Sequence, residues 1–190
     1  MYAKTLIMLG LSAALAGCVS FGAKTPDTLL SLRPTNGPAA GATASGTAET
    51  ALIVLEPSVD ARLGVTRVPV QIDDANVAYL KEAMWVERPS RLFQRLLAET
   101  IRAKGARLVI ENDPGFSGPQ LSGRLLDMGY DVRTGSVVVR YDAVKQAGGN
   151  IETRRFESVV PVTAADAKYV GPALNEAANV VAQAVADWVG

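Results

Sequence analysis

Two segments of the chain carry apolar residues at helical spacing. In the segment 89–104, the apolar positions form one stripe, which consists of Leu92, Phe93, Leu96, Leu97 and Ile101. Pro89 suits the first helical position, and Gly105 suits the position after the last turn. In the segment 172–188 the stripe consists of Leu174, Ala177, Ala178, Val181, Val185 and Trp188. The pattern therefore predicts two amphipathic helices, at 89–104 and 172–188.

Shorter apolar or alternating runs predict extended segments. They lie at 51–59, 66–72, 76–86, 108–110, 120–132, 136–145 and 151–162. The last three are joined by hairpin signals, Thr134-Gly135 and the Gly-rich turn 147–150. This order predicts an α+β fold in which a mostly antiparallel sheet packs against two amphipathic helices as a two-layer sandwich.

Two features of these segments have alternative interpretations. Asp73-Asp74 resembles a metal or acid–base pair, but adjacent side chains on a strand point to opposite faces, so a turn is favoured. The Val-rich run 137–139 could add to the sheet of a partner, but an internal strand of a meander is favoured.

Composition excludes several classes of function. The chain has 190 residues, 19 Lys and Arg against 19 Asp and Glu, and no His. A nucleic-acid binder needs clustered basic residues, and none is in excess here. Without His, a Ser-His-Asp site cannot form, and the commonest metal ligand is missing. No phosphate-loop motif is present, and no motif places the Asp/Glu pair of a glycosidase. We expect no catalytic residue, no metal and no cofactor.

The first eighteen residues have the pattern of a secretory signal. Lys4 precedes an uncharged apolar run at 5–14, which is shorter than the roughly 20 residues that span a bilayer. The tetrad Leu-Ala-Gly-Cys follows and ends at Cys18, the only cysteine. Since one cysteine cannot form an intrachain disulfide, a free thiol in an oxidising compartment would be a liability.

The tetrad resembles the bacterial lipobox. The resemblance implies a signal peptide at 1–17, cleavage between Gly17 and Cys18, and lipid attachment at Cys18 through a diacylglycerol with acyl chains such as palmitate. Two or three chains would hold the protein on a membrane without crossing it. By resemblance to the enteric sorting rule, Val19 favours the outer membrane. The alternatives are an uncleaved anchor and an ordinary signal peptide.

Residues 18–50 are rich in Ala, Gly, Ser, Thr and Pro, and the stretch 37–50 has almost no large apolar residue. Such a stretch cannot offset its ordering entropy by burial, so we expect a flexible tether. About 30 flexible residues would span roughly 30 Å. The apolar island 28–32 could dock as a short strand or belong to the tether. Residues 51–190 would form one α+β domain.

A family resemblance rests on Trp85-Val86-Glu87-Arg88-Pro89 and on the Leu-rich helix that follows, Leu92-Phe93-Gln94-Arg95-Leu96-Leu97. This segment resembles the ABC-type transport auxiliary lipoproteins, the group that contains the outer-membrane lipoprotein of the Pqi system. The order of elements resembles that family over nearly the whole mature chain. The early strand departs from the family, because Leu29 and Leu30 stand where aromatic residues are common.

The resemblance implies a non-catalytic accessory lipoprotein of an envelope lipid transport system. Its partners would be an ABC transporter of the inner membrane and an MCE-domain protein that bridges the periplasm. The protein would face the periplasm from the outer membrane, and a homo-oligomeric ring is compatible with this role. The alternative is another envelope lipoprotein, such as a cell-wall synthase activator or an outer-membrane assembly factor.

Four residues are candidates for a partner interface: Trp85, Arg88, Arg91 and Arg95. An exposed Trp beside charge is a frequent interaction hot spot, although such a Trp more often packs a strand–helix junction. The arginines could meet anionic lipid or an acidic partner. The interspersed Glu87 and Glu99 favour a solvated helix face instead.

The lipid attachment predicts the behaviour of a Cys18→Ala variant. Without the thiol, the chain should remain an unprocessed precursor or become soluble, because no acyl chain can be attached. Membrane fractionation with intact-mass measurement tests this, and a variant that fractionates like the wild type would refute the anchoring hypothesis.

Overall fold

A computed structural model describes residues 26–105, 107–111 and 117–190. The described part of the chain contains seven strands and two helices. The strands are β1 (Leu52–Val54), β2 (Arg67–Gln71), β3 (Val77–Met84), β4 (Val109–Glu111), β5 (Gln120–Asp131), β6 (Ser136–Ala147) and β7 (Asn150–Pro161). The helices are α1 (Pro89–Arg102), between β3 and β4, and α2 (Ala167–Val189), after β7.

Strand β5 is the centre of the sheet. One of its edges pairs with β6 from Gln120 to Asp131, and β6 pairs in turn with β7. Its other edge is shared by two strands: β1 pairs with the first residues of β5, and β2 pairs with the last. β4 lies outside β1, and β3 lies outside β2. One long strand therefore joins two short strand pairs into a single sheet.

The predicted α+β class is confirmed, and the sheet proves to be mixed rather than mostly antiparallel. The pairs β1–β4, β1–β5 and β2–β5 are parallel, whereas β2–β3, β5–β6 and β6–β7 are antiparallel. The antiparallel pairs are consecutive strands joined by short turns, which force the chain to reverse. The parallel pairs are joined by longer connections. The apolar pattern of each strand does not indicate the relative direction in which two such strands will pair.

Gly129 allows the close approach of β2 to β5. A Cβ atom at this position would lie 2.4 Å from the Pro69 carbonyl oxygen. Any side chain here would push the two strands apart.

Helix α1 begins at the predicted Pro89 and ends at Arg102, two residues before the predicted end. Gly105 has φ +67°, a conformation that favours glycine after a helix. The buried Gln94 donates a hydrogen bond from Nε2 to the Val54 carbonyl at 2.8 Å. This bond satisfies a buried polar group and ties the helix to the end of β1.

Helix α2 starts at Ala167, five residues before the predicted start at Pro172. The Asp166 carboxylate accepts a hydrogen bond from the Lys168 backbone N–H at 2.9 Å and caps the first turn. Pro172, the first residue of the predicted segment, lies inside the helix, because this cap starts the helix upstream. The two helices end side by side, where Lys104 pairs with Asp187.

The core lies between the helices and one face of the sheet. Val137 and Val139 of β6 are fully buried, and β6 is flanked by β5 and β7, so the internal interpretation of this run is confirmed. The fully buried Phe93 of α1 makes an edge-to-face contact with Tyr141 of β6, with ring centroids 5.2 Å apart. Neither helix of the described residues is long and apolar enough to cross a membrane.

A Leu96→Asp substitution should unfold the protein. Leu96 lies on the buried stripe of α1, and an unpaired carboxylate there would lower the free energy of unfolding by more than about 3 kcal/mol. Denaturant unfolding measures this. The control is Arg91→Ala on the exposed side of the same helix, where ion pairs at 3.6 and 3.9 Å should contribute less than about 1 kcal/mol. Equal midpoints for Leu96→Asp and the wild type would contradict the packing of α1.

Candidate anchoring and partner-binding surfaces

The residues predicted for lipid attachment, Gly17 and Cys18, lie outside the described residues. The description begins at Pro26, eight residues after Cys18. Lipid attachment therefore stays a prediction. From Pro26 onward, the structure shows how the chain joins the folded body.

Residues 26–36, which we call the arm, are bonded to the body at the end of β3. The Leu30 N–H donates to the Met84 carbonyl, and the Val86 N–H donates to the Leu30 carbonyl, both at 2.8 Å. These bonds form a parallel bridge between Leu30 and Trp85. Leu30 also packs against Gly171 of α2, where a Cβ atom would lie 2.7 Å from the Leu30 side chain. Glycine thus provides the space that the arm occupies.

The arm then follows a row of amide side chains on α2. The Arg33 N–H donates to Asn175 Oδ1 at 2.8 Å, and the Thr35 N–H donates to Asn179 Oδ1 at 2.7 Å. Asn179 Nδ2 also donates to the Arg33 carbonyl at 2.9 Å. The last contact is between side chains, from Asn36 Nδ2 to Gln183 Oε1 at 3.2 Å. We call Asn175, Asn179 and Gln183 the amide ladder.

The spacing of the ladder matches an extended chain. Gly171 and the three ladder residues recur every four positions, so they form one line along the helix. The helix advances about 18 Å over these twelve residues at 1.5 Å per residue. The arm advances about 20 Å over the six residues from Leu30 to Asn36 at 3.3 Å per residue. Because the two lengths agree, the helix can bond the arm repeatedly without bending it.

The arm occupies part of the predicted tether at 18–50. The boundary at residue 50 stays a prediction, and the structure adds that residues 30–36 are hydrogen-bonded to the body. Sequence reasoning considered a short strand at 28–32 and missed the ladder. The available signal was the four-residue spacing of three amides on the predicted second helix, two of which are asparagines, a residue that is unfavourable in a helix interior.

Trp85 lies in the core, with 2 % of its surface exposed. Its backbone N–H donates to the Thr66 carbonyl at 2.7 Å, and its indole Nε1 is buried without a hydrogen-bond partner among the described residues. The structure thus favours the packing alternative for Trp85. The ring does not form part of the surface.

Arg88, Arg91 and Arg95 are exposed and follow one side of α1, which we call the arginine flank. Arg95 pairs with Glu87 at 3.0 Å, and Arg91 pairs with Glu87 at 3.6 Å. Glu87 therefore neutralises part of the flank. The flank is accessible and separate from Trp85, so the four candidate interface residues do not form one surface.

The sheet face opposite the helices carries charges that alternate across strands β5, β6 and β7. One row consists of Asp127, Arg140 and Glu157, and the next row consists of Arg124, Asp142 and Arg155. Arg155 binds both oxygens of Asp142 at 2.6 and 2.7 Å, and its hydrogen bonds hold the pKa of the Asp142 carboxyl below its ordinary value. Opposite charges on neighbouring strands stabilise the pairing of the sheet.

These carboxylates are engaged in ion pairs. Asp127 accepts from Arg62 at 2.6 Å and from Arg140 through its other oxygen. Asp73 is also engaged, because its carboxylate accepts the Ala75 and Asn76 N–H groups at 2.8 and 2.9 Å, as the turn prediction required. Within the described ranges, no group of three or more acidic or thiol side chains is placed to hold a metal ion.

The comparisons with known proteins give one family and one fold. The family described as ABC-type transport auxiliary lipoprotein component matches residues 31–186. A solved structure of an uncharacterised protein has a TM-score of 0.71 at 14% identity and covers 88% of this chain and 100% of its own. A protein from Xanthomonas campestris has a TM-score of 0.64 at 14% identity and covers 87% of this chain and 92% of its own. At this identity the two structures show similarity of fold alone. No curated protein matches the sequence significantly.

The amide ladder predicts the effect of an Asn179→Ala substitution. The change removes the hydrogen bonds to the Thr35 N–H and the Arg33 carbonyl, which should destabilise the docked arm by about 1–3 kcal/mol. Amide hydrogen exchange should then accelerate at Thr35 and leave the core strands protected. Val180→Ala, an exposed neighbour on the same helix, is the matched control. Unchanged exchange at Thr35 would refute the ladder.

Proposed function

The chain belongs to the family of ABC-type transport auxiliary lipoprotein components, and on this basis we propose that it is a membrane-anchored, non-catalytic accessory component of an envelope lipid transport system. The match to residues 31–186 carries the proposal, because it includes both helices nearly in full and the whole described sheet. The proposal also includes a lipid anchor, a mechanism in which the protein acts through its position at the membrane, and partner proteins.

The proposed anchor is Cys18, lipidated after removal of residues 1–17. The lipobox resemblance supports it, and so does the family, which is one of lipoproteins. Val19 after the cysteine supports sorting to the outer membrane, with the body facing the periplasm.

The proposed mechanism is positional. Leu30 is hydrogen-bonded to the end of β3 and lies only twelve positions after Cys18. Twelve residues reach at most about 40 Å, however they are arranged. Acyl chains on Cys18 would therefore keep the body within a defined distance of the membrane. The hydrogen bonds of the arm would fix the point on the body from which the chain leads to the anchor.

Two observations support the absence of catalysis. The sequence has no His, and the carboxylates Asp127 and Asp142 on the open sheet face are each held by arginine. A general acid or base needs a carboxyl with a pKa near the working pH, whereas the pKa of Asp142 is lowered by Arg155. This arrangement suits a structural surface.

The proposed partners are an ABC transporter and an MCE-domain protein of the same system. The arginine flank is the proposed contact, since its guanidinium groups are exposed and can exchange Glu87 for carboxylates of a partner. Such exposed charges mainly affect association rate and specificity.

Affinity capture from solubilised envelopes tests the proposed partners. The full-length lipidated chain should recover an ABC transporter subunit and an MCE-domain protein. Substituting Arg88, Arg91 and Arg95 together by Ala should reduce the recovery several-fold without changing the melting temperature. Arg154→Ala, on the exposed strand β7, is the control. Recovery of a cell-wall synthase without an MCE-domain protein would contradict the proposal.

A further inference from the structure

The end of the molecule at which the arm begins carries exposed apolar side chains. Leu29 is 45 % exposed and Val86 is 55 % exposed. Each is the neighbour of a bridge residue that points inward, Leu30 or Trp85, and successive side chains in an extended chain point to opposite sides. Leu29 and Val86 therefore share the outward side of the bridge.

Tyr169 lies at the same end of the molecule, on the first turn of α2, and is 43 % exposed. It points to a different side of the helix from Gly171, which the Leu30 side chain contacts, because residues two positions apart on a helix do not face each other. We call Leu29, Val86 and Tyr169 the anchor-side face. An exposed tyrosine is typical of surfaces at the boundary between lipid and water, where the ring contacts apolar groups and the hydroxyl stays hydrated.

The short segment between Cys18 and Pro26 limits the distance between this face and the proposed lipid anchor. Pro26 lies eight residues after Cys18, and eight residues reach at most about 28 Å. Since the arm is hydrogen-bonded to β3 and α2, this end of the body cannot lie farther from the anchor than that reach without breaking those bonds. We propose that the anchor-side face rests on the surface of the bilayer that holds the acyl chains of Cys18. This inference rests on the lipid anchor of the proposed function.

The charges of the groove beside Leu29 favour apolar contact over electrostatic attraction. A groove of about 620 Å³ lies between the arm and the start of α2, and its lining includes Asp27, Glu82 and Asp166 but only one basic residue, Lys168. Anionic lipids attract surfaces with a basic excess, and this groove has an acidic one. The contact should therefore form on zwitterionic lipid and be insensitive to salt.

The contact would also orient the molecule. Helix α2 leads away from the face, and the Gly171-to-Trp188 segment is about 25 Å long. At the far end, Lys145 of β6 lies over the Trp188 ring, with its ammonium 4.9 Å from the ring centroid. Ile151 at the start of β7 is paired with Gln146, the residue after Lys145, so it lies at this far end. The β6–β7 turn would thus point into the periplasm.

Fluorescence quenching on vesicles tests the inference with the full lipidated chain. The lipidated wild type has no free thiol, so Val86→Cys supplies the single site for an environment-sensitive fluorophore. The matched control is Ile151→Cys, which is 66 % exposed at the far end. On phosphatidylcholine vesicles that contain doxyl-labelled phosphatidylcholine, quenching at position 86 should be several-fold stronger than at position 151. The difference should persist at high salt and should not grow when phosphatidylglycerol is added.

The possible results distinguish a wrong orientation of the body from the absence of a lipid anchor. If the chain floats with the vesicles but position 86 is quenched no more than position 151, the orientation is overturned, and the face is left open to a protein partner. If the chain does not float, or if the wild type accepts the fluorophore at Cys18, the anchor fails and the inference fails with it.

Discussion

The structure depends on the backbone hydrogen bonding of β5 along both edges. β6 occupies one edge completely, and the short strands β1 and β2 divide the other. Without this shared edge, the pairs β1–β4 and β2–β3 would be separate two-stranded units, which are marginal on their own in water. The sheet then offers one continuous apolar face on which α1 and α2 pack.

Outside the sheet, the arm is also held by hydrogen bonds to its backbone. Asn175 and Asn179 present carbonyl oxygens to the backbone N–H groups of an extended segment, as a neighbouring strand would. This arrangement joins residues 30–36 to a rigid helix. The proposed positional mechanism would require such a joint, because a loosely attached body could not present a fixed surface to a partner.

The charged face of the sheet differs in character from the arginine flank and from the apolar end near Leu29. The face that carries the rows of Asp127–Arg140–Glu157 and Arg124–Asp142–Arg155 places opposite charges on neighbouring strands, which stabilises the sheet. Among the described residues, the arginine flank of α1 and the apolar end near Leu29 are exposed. We proposed a charged protein partner for the first and a lipid surface for the second.

The sequence by itself determined the α+β class, helix α1 from Pro89, the hairpins of β5, β6 and β7, and the candidate lipid attachment at Cys18. Each depends on local signals: periodicity, turn residues or a contiguous motif. Only the tertiary structure decided the parallel pairing of β1 and β2 with β5, the burial of Trp85 and the docking of the arm on Asn175, Asn179 and Gln183. These features join residues far apart in the chain, up to 147 positions for Asn36 and Gln183. The pattern of a single segment holds no information about which distant segment will satisfy its hydrogen bonds.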